Sequence, residues 1–216
     1  MALPVAAMSP VLILRRAVLR ACVRLCLLLA ILLALPLAAH AEWKPIEKVE
    51  TYAISGQSGA ELYRSIGEKG PKLGVARAIA HTNFKLTWTR DYQARAGACV
   101  LATARPKLII TYTLPSPSAP LPPAIQKNWE VFIAGVSAHE KVHGADIIDM
   151  VRKIEAATVG LSVADDPKCS KIRTEMTKRL SELSQAQRQA SRDFDRVELG
   201  QGGNLQKLIL ALVNGG

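Results

Sequence analysis

AIQKNWEVFIAGVSAHEKVHGADIIDM, residues 124–150, is the stretch on which the fold turns. Trp129, Phe132, Ile133, Val136, Ile147 and Met150 recur at about 100° per residue, which places them on one face of a helix. The spacing predicts that helix from Ala124 to about Val159. Just before it, residues 115–123 hold five prolines in nine positions. Such a linker is expected to continue neither a strand nor a helix, because proline lacks the backbone donor and fixes φ.

Upstream of the linker the pattern is β-rich. Residues 46–55 read as a strand, and Ser58 to Gly67 as a short helix stopped at Gly70-Pro71. In His81 to Tyr92 the residues Phe84, Leu86 and Trp88 alternate with Lys85, Thr87 and Thr89, the period of a half-buried strand. Ala98 to Thr103 and Lys107 to Leu114 are expected to be two further strands joined around Arg105-Pro106. Downstream, a loop through Asp165-Asp166-Pro167 leads to a charged helix at about Cys169 to Val197. Its stripe Ile172, Met176, Leu180 and Leu183 is expected to pack on the first helix. Leu205 to Val213 is either a final short helix or a frayed tail. The fold class expected is α+β: a small antiparallel sheet in residues 42–114, the linker 115–123, a helical part 124–200 and a tail 201–216.

Residues 1–41 differ from the rest. They carry Arg15, Arg16, Arg20 and Arg24 and no acid, then an apolar run from Leu25 to Ala38 and the small-x-small end Ala39-His40-Ala41. That order is what a secretory signal peptide requires, with cleavage expected before Glu42. From Leu25 to Ala39 the run falls short of the roughly 20 residues needed to span a hydrocarbon core about 30 Å thick. The residues before Cys26 are Val23-Arg24-Leu25, and an arginine there argues against lipoprotein processing. The expected location is the periplasm or the outside of a bacterial cell, with membrane contact only through the segment before cleavage.

The whole chain has 216 residues and a formal net charge of +10. Without the four arginines of the leader, residues 42–216 carry +6, spread along the chain with no basic block, so a nucleic-acid partner is not expected. Of the four cysteines, Cys22 and Cys26 leave with the leader. Cys99 and Cys169 then read as one disulfide in an oxidising compartment.

One motif carries chemistry. His139-Glu140-Lys141-Val142-His143 is an H-E-x-x-H sequence inside the predicted helix, and it uses two of the three histidines left after cleavage. Histidines at i and i+4 project from one face a turn apart and can share a metal ion. Glu140 lies beside that face, where its carboxylate can take a proton from a metal-activated water. The pattern predicts His139 and His143 as ligands of one catalytic zinc ion and Glu140 as general base. The plain alternative is a pair of core or surface histidines and a salt-bridging glutamate. His81, opening a strand, reads as structural.

The run Trp129 to Met150 resembles a bacterial family of unknown function described as predicted secreted zinc-dependent proteases, of the zincin type. Tyr52-x-x-x-Gly56, the Gly70-Pro71 turn, Trp88 and Cys99 are similar as well, so the resemblance spans about Val49 to Gly202. It implies a zincin-like frame, a metal-dependent peptidase and a peptide or protein substrate. Where the longer zincin motif has a glycine and a final histidine ligand, this chain has Asp146 and Asp149. Asp146 is read as a partner for a histidine rather than a ligand. In glutamate-type zincins a later helix supplies the third ligand, and Glu175, Glu182 and Asp195 are the candidates here beside Asp146 and Asp149. Family members end that helix with Asp-x-x-Thr-x-His-Gly, of which Asp195 and Gly200 remain and the histidine does not.

Three functions stay open on the sequence: an exported zinc peptidase, a non-catalytic metal-binding or interaction domain on the same frame, and a metal-free binder. For the peptidase, Lys107 to Leu114 is expected to be the sheet edge on which an extended substrate pairs.

Overall fold

The structure, a computed structural model, describes residues 43–215; the expected signal peptide and its cleavage site lie outside the described residues. The chain is α+β, with a sheet followed by a helical half. In chain order the elements are β1 Ile46–Ile54, α1 Gly59–Lys69, β2 Lys72–Leu73, β3 Ala76–Arg77, β4 His81–Arg95 and β5 Ala98–Pro117. Then follow α2 Pro123–Thr158, β6 Ser162–Val163, α3 Lys171–Leu199 and α4 Asn204–Asn214. The residues at 204–214 are thus a helix and not a frayed tail. Among the described residues no helix is long and apolar enough to cross a membrane.

The main sheet has the order β1-β5-β4, with β6 paired to β5. β4 and β5 form a long antiparallel hairpin. Its two-residue turn, Ala96-Gly97, has positive φ at both positions, as the tightest hairpin turns require. β1 pairs with β5 in parallel, from Ile46 opposite Ile109 to Ile54 opposite Pro117. The sheet is therefore mixed where an antiparallel one was expected. The cause is the strand order: the chain passes from β1 through α1 into β4 at the far edge, running opposite to β1, and the hairpin then turns β5 back between the two, parallel to β1.

β5 also corrects two other expectations. It runs unbroken through Arg105-Pro106 and on to Pro117, so the two strands are one and the proline-rich segment begins inside the sheet. Ser118 N donates to Ile54 O, so the even-numbered donors near that end point toward β1. Pro115 and Pro117 therefore miss donors on the opposite side, where β4 has already ended at His81 opposite Thr113. Pro106 misses its donor on the β1 side, ahead of the first pair at Ile109. Each proline stands where the ladder has no partner to lose. β5 is also the central strand, held on both sides. Lys107 to Leu114 is not an edge; the edge strands are β1 and β4.

One face of the sheet packs on the helices. Leu108, Ile110 and Tyr112 of β5 are buried against Ile147, Met150, Val151 and Ile154 of α2. A second cluster joins Ile54, Leu62 and Ile66 to Ile125, Trp129, Phe132 and Val136 of α2 and to Leu205 and Leu212 of α4. A third surrounds the disulfide Cys99–Cys169 with Leu101, Ile172 and Met176. That disulfide closes 70 residues of chain, worth about 2–4 kcal/mol through the entropy it removes from the unfolded chain. α2 enters on Pro123 at its first position, where a missing donor costs nothing. At 36 residues it is about 54 Å long and serves as the floor of both larger clusters.

α3 returns antiparallel along α2, and its start is fixed by Asp166. This buried side chain accepts hydrogen bonds from Ser170 N at 2.8 Å and Ile172 N at 2.9 Å, while its own backbone N–H donates to Gly97 O in the hairpin turn. Burial works to raise its pKa, but the backbone donors of residues 170–172 outweigh it and hold the carboxyl below the usual value of 3.8. A depressed carboxylate pKa contributes stability that is complete above the unfolded-state value and is lost as pH falls through the folded one. Thermal melts should therefore show Asp166→Asn less stable than wild type at pH 7, with the gap closing below about pH 3.8. A gap constant down to pH 2 would deny the carboxylate this role.

Candidate functional site

His139 and Glu140 lie in the apolar stripe of α2, 7% and 5% exposed. The stripe's last residue in the first cluster is Val136 and its first in the second is Ile147. The motif thus fills the gap between two apolar clusters on one helix. At Gly144 the helix touches the sheet so closely that a β-carbon there would come within 2.1 Å of the Tyr112 hydroxyl. That approach sets the depth of the site. Tyr112 donates to Glu47 at 2.9 Å, and Lys141 pairs with the same carboxylate while lying over the tyrosine ring.

The predicted residues meet as follows. His139 Nε2 and His143 Nε2 are 3.1 Å apart. Asp195 Oδ1, from α3, is 3.2 Å from the first and 3.0 Å from the second. Phe194, one residue earlier, stacks on the His139 ring at 4.7 Å and stands edge-on to His143 at 5.4 Å. Glu140 turns the other way, toward β4, where Thr82 Oγ1 lies 2.5 Å from its Oε2 and 3.1 Å from its backbone oxygen.

Of the five acids open as a third ligand, Asp195 is the one that forms a cluster with both histidines, all three donor atoms lying within 4.8 Å. Asp149 is paired with Lys153 at 2.7 Å on the exposed side of α2. Glu175 is paired with Arg179 at 3.0 Å. Glu175 and Glu182 precede Asp195 on the same helix by 20 and 13 positions, or about 30 and 20 Å along its axis. Asp146 acts on His143 through its charge, in keeping with a supporting place rather than a ligand's.

A neutral imidazole brings one N–H, and a carboxylate brings none. If both Nε2 atoms carry protons, Asp195 Oδ1 accepts from both and the nitrogens 3.1 Å apart make no bond to one another. If one histidine donates to the other, the acceptor meets the carboxylate lone pair to lone pair. A cation among the three atoms relieves every contact at once. Donors held about 2.0–2.1 Å from one tetrahedral zinc ion stand about 3.3 Å apart, close to the three separations found. Two imidazoles and one carboxylate, with a fourth position left over, are also a donor set suited to catalytic zinc. The residues present fit the ion.

The electrostatics agree. Burial opposes protonation of His143, yet the hydrogen bond and charge of Asp195, with Glu140 and Asp146, lift its pKa above the ordinary 6.5. Burial likewise works against ionised Asp195, but the two histidines hold its carboxyl well below the usual range. The site concentrates negative charge around two ring nitrogens, as a cation site does.

The sequence did not single out Thr82, Phe194 or Glu198, which stands with its Oε2 3.9 Å from His139 Nδ1. Thr82 has a legible signal: it shares the alternating face of Phe84 and Leu86 and is the second residue of the strand that reaches the motif. His81, its neighbour, is not in the cluster.

Residues 49–203 match the model of a family described as bacterial protein of unknown function (DUF922). No curated protein and no solved structure matches the chain.

If the triangle is a zinc site, zinc at about a hundred times its dissociation constant should add about 2.7 kcal/mol of stability, a rise of about 5–10 °C in melting temperature for a chain of this size. Asp195→Ala should lose that rise. An equal rise in the variant would remove Asp195 from the site.

Proposed function

The chain belongs to the DUF922 family of bacterial proteins, and for it we propose the function of an exported zinc-dependent peptidase. The observation that carries the reading is the convergence of two imidazoles and one carboxylate at 3.0–3.2 Å beside a glutamate held by a hydroxyl. Export rests on the composition of residues 1–41.

His139, His143 and Asp195 are the residues that would hold zinc. Bound there, the ion supplies Lewis acidity, which lowers the pKa of a water and polarises the scissile carbonyl. Glu140 accepts the proton of the attacking water and passes it to the leaving amine. Thr82 donates to Oε2 of Glu140, which fixes the rotamer and leaves Oε1 for the proton. Phe194 covers one face of His139 and limits solvent there. β4, the edge strand that carries Thr82, borders the site. A groove of about 400 Å³ lies further along the same strand, between β4 and α3, lined by Phe84, Leu86, Met150, Ile154 and Leu180 among others. Such an edge and an apolar groove suit an extended peptide, whose backbone pairs with a strand while alternate side chains enter pockets.

A second reading is a metal-binding domain without turnover. The burial of Glu140 and the commitment of one of its oxygens to Thr82 favour it. The two readings part on one variant set, assayed on zinc-loaded protein with a mixed peptide library. Under the peptidase reading Glu140→Gln lowers kcat by about 10²–10⁴-fold with zinc content unchanged, and His143→Ala loses both. Cleavage at equal rates by wild type and Glu140→Gln would end that reading. Zinc bound at one per chain with no cleavage of any library member would select the second.

Thr82 tests the handling of the base. Thr82→Val, which keeps the shape and removes the hydroxyl, should lower kcat about tenfold, the usual scale of one net hydrogen bond, at nearly constant KM. Thr82→Ser should restore most of it. Steady-state kinetics in which KM alone changes would instead place Thr82 in substrate binding.

A further inference from the structure

Nδ1 of His139 is a buried ring nitrogen with no hydrogen-bond partner among the described residues. A carboxylate approaches it from Glu198, whose Oε2 lies 3.9 Å away and whose side chain is 14% exposed. Glu198 follows Asp195 by three positions, so the two acids share one face of α3 a turn apart. Asp195 meets the imidazole at Nε2, Glu198 faces it at Nδ1, and Phe194 covers the ring plane. One turn of α3 therefore surrounds His139 on three sides.

We propose that Glu198 is the positioning residue of the metal site, accepting the Nδ1 proton of His139. The proposal rests on the metal-binding reading given above. A neutral imidazole that gives its Nε2 lone pair to a metal carries its one proton on Nδ1. In a buried site that N–H needs an acceptor, and a carboxylate in that place fixes the tautomer, holds the ring and raises its basicity as a ligand. Glu198 is itself held: its other oxygen accepts from Asn204 Nδ2 at 3.0 Å, and Asn204 is the first residue of α4. The metal ligand on α2 is in this way connected through α3 to the start of the last helix.

The test is a zinc titration against a chelating indicator on residues 42–216, comparing wild type, Glu198→Gln and Asn204→Ala, with melting temperatures of the metal-free proteins measured beside them. Gln keeps the size of Glu and an oxygen for Asn204 but offers no negative charge to Nδ1–H. Glu198→Gln should weaken zinc binding about 10–100-fold with the metal-free melting temperature within a degree or two of wild type. Asn204→Ala leaves the Glu198 carboxylate and its charge in place, removing only one of its supports, and should weaken zinc binding by a clearly smaller factor than Glu198→Gln. Zinc binding by Glu198→Gln equal to wild type would overturn the proposal, and so would equal weakening by Asn204→Ala, which would make Glu198 a support for α4 alone. Wild type that binds no zinc would overturn the metal reading beneath it, a result distinct from both. If Glu198→Gln does not fold, Glu198→Asp is read in its place: it keeps the charge, shortens the reach and should weaken zinc binding by a smaller factor, with unchanged binding again counting against the role.

Discussion

Two ring nitrogens and a carboxylate oxygen, each about 3 Å from the others and set in a seam between apolar clusters, place a demand on every element around them. Three buried heteroatoms at that separation must be joined, by shared protons or by a cation. Two of them are fixed to one helix by the i, i+4 repeat, but the third comes from 52 residues further along the chain. A shift of α3 by one residue along α2 would turn Asp195 by 100° and move it 1.5 Å, enough to break the triangle. What holds α3 in register is therefore part of the site.

That register is secured far from the motif. The disulfide ties the start of β5 to the residue two positions before α3, and Asp166 fixes the first turn of the helix to the hairpin turn between β4 and β5. Arg179 reaches across to the carbonyl of Ala157 at 3.1 Å near the closed end of the helix pair. At the other end Glu198 and Asn204 join α3 to α4, whose Leu205 and Leu212 are buried with Trp129 and Phe132. α2 is thus gripped by the sheet near its C-terminal half and by α1 and α4 near its N-terminal half. The polar motif occupies the interval that neither apolar cluster fills. Burying it there strengthens the interactions among its charges and raises the cost of leaving any of them unpaired.

The sheet adds the second half of the geometry. Because Thr82 stands opposite Tyr112, the two share the face turned to α2, one meeting Glu140 and the other meeting the helix at Gly144. Glycine at that position lets the tyrosine hydroxyl lie against the helix axis. A larger residue would lift α2 from the sheet and draw Glu140 away from Thr82. The two halves of the motif accordingly face different walls: Glu140 toward β4, the histidines toward α3.

The α+β class, the helix at 124–159, the pairing of Cys99 with Cys169 and the shared face of His139 and His143 were all legible in the residues, because each follows from local periodicity or from a count. The parallel pairing of β1, the unbroken course of β5 through its prolines and the edge position of β4 were not. They depend on which strands become neighbours, and a proline reads as a breaker until it is known that no donor is needed at its place. For the same reason five acids remained open as partners of the histidines while only Asp195 meets them. A helix repeat places residues on a face, but the register between two helices is decided by packing, a disulfide and caps distant in sequence. The sequence by itself determined which side chains stand together along α2; the tertiary structure alone decided that Asp195, Thr82 and Glu198 reach them, since contacts between separate elements are fixed by the packing of the whole domain.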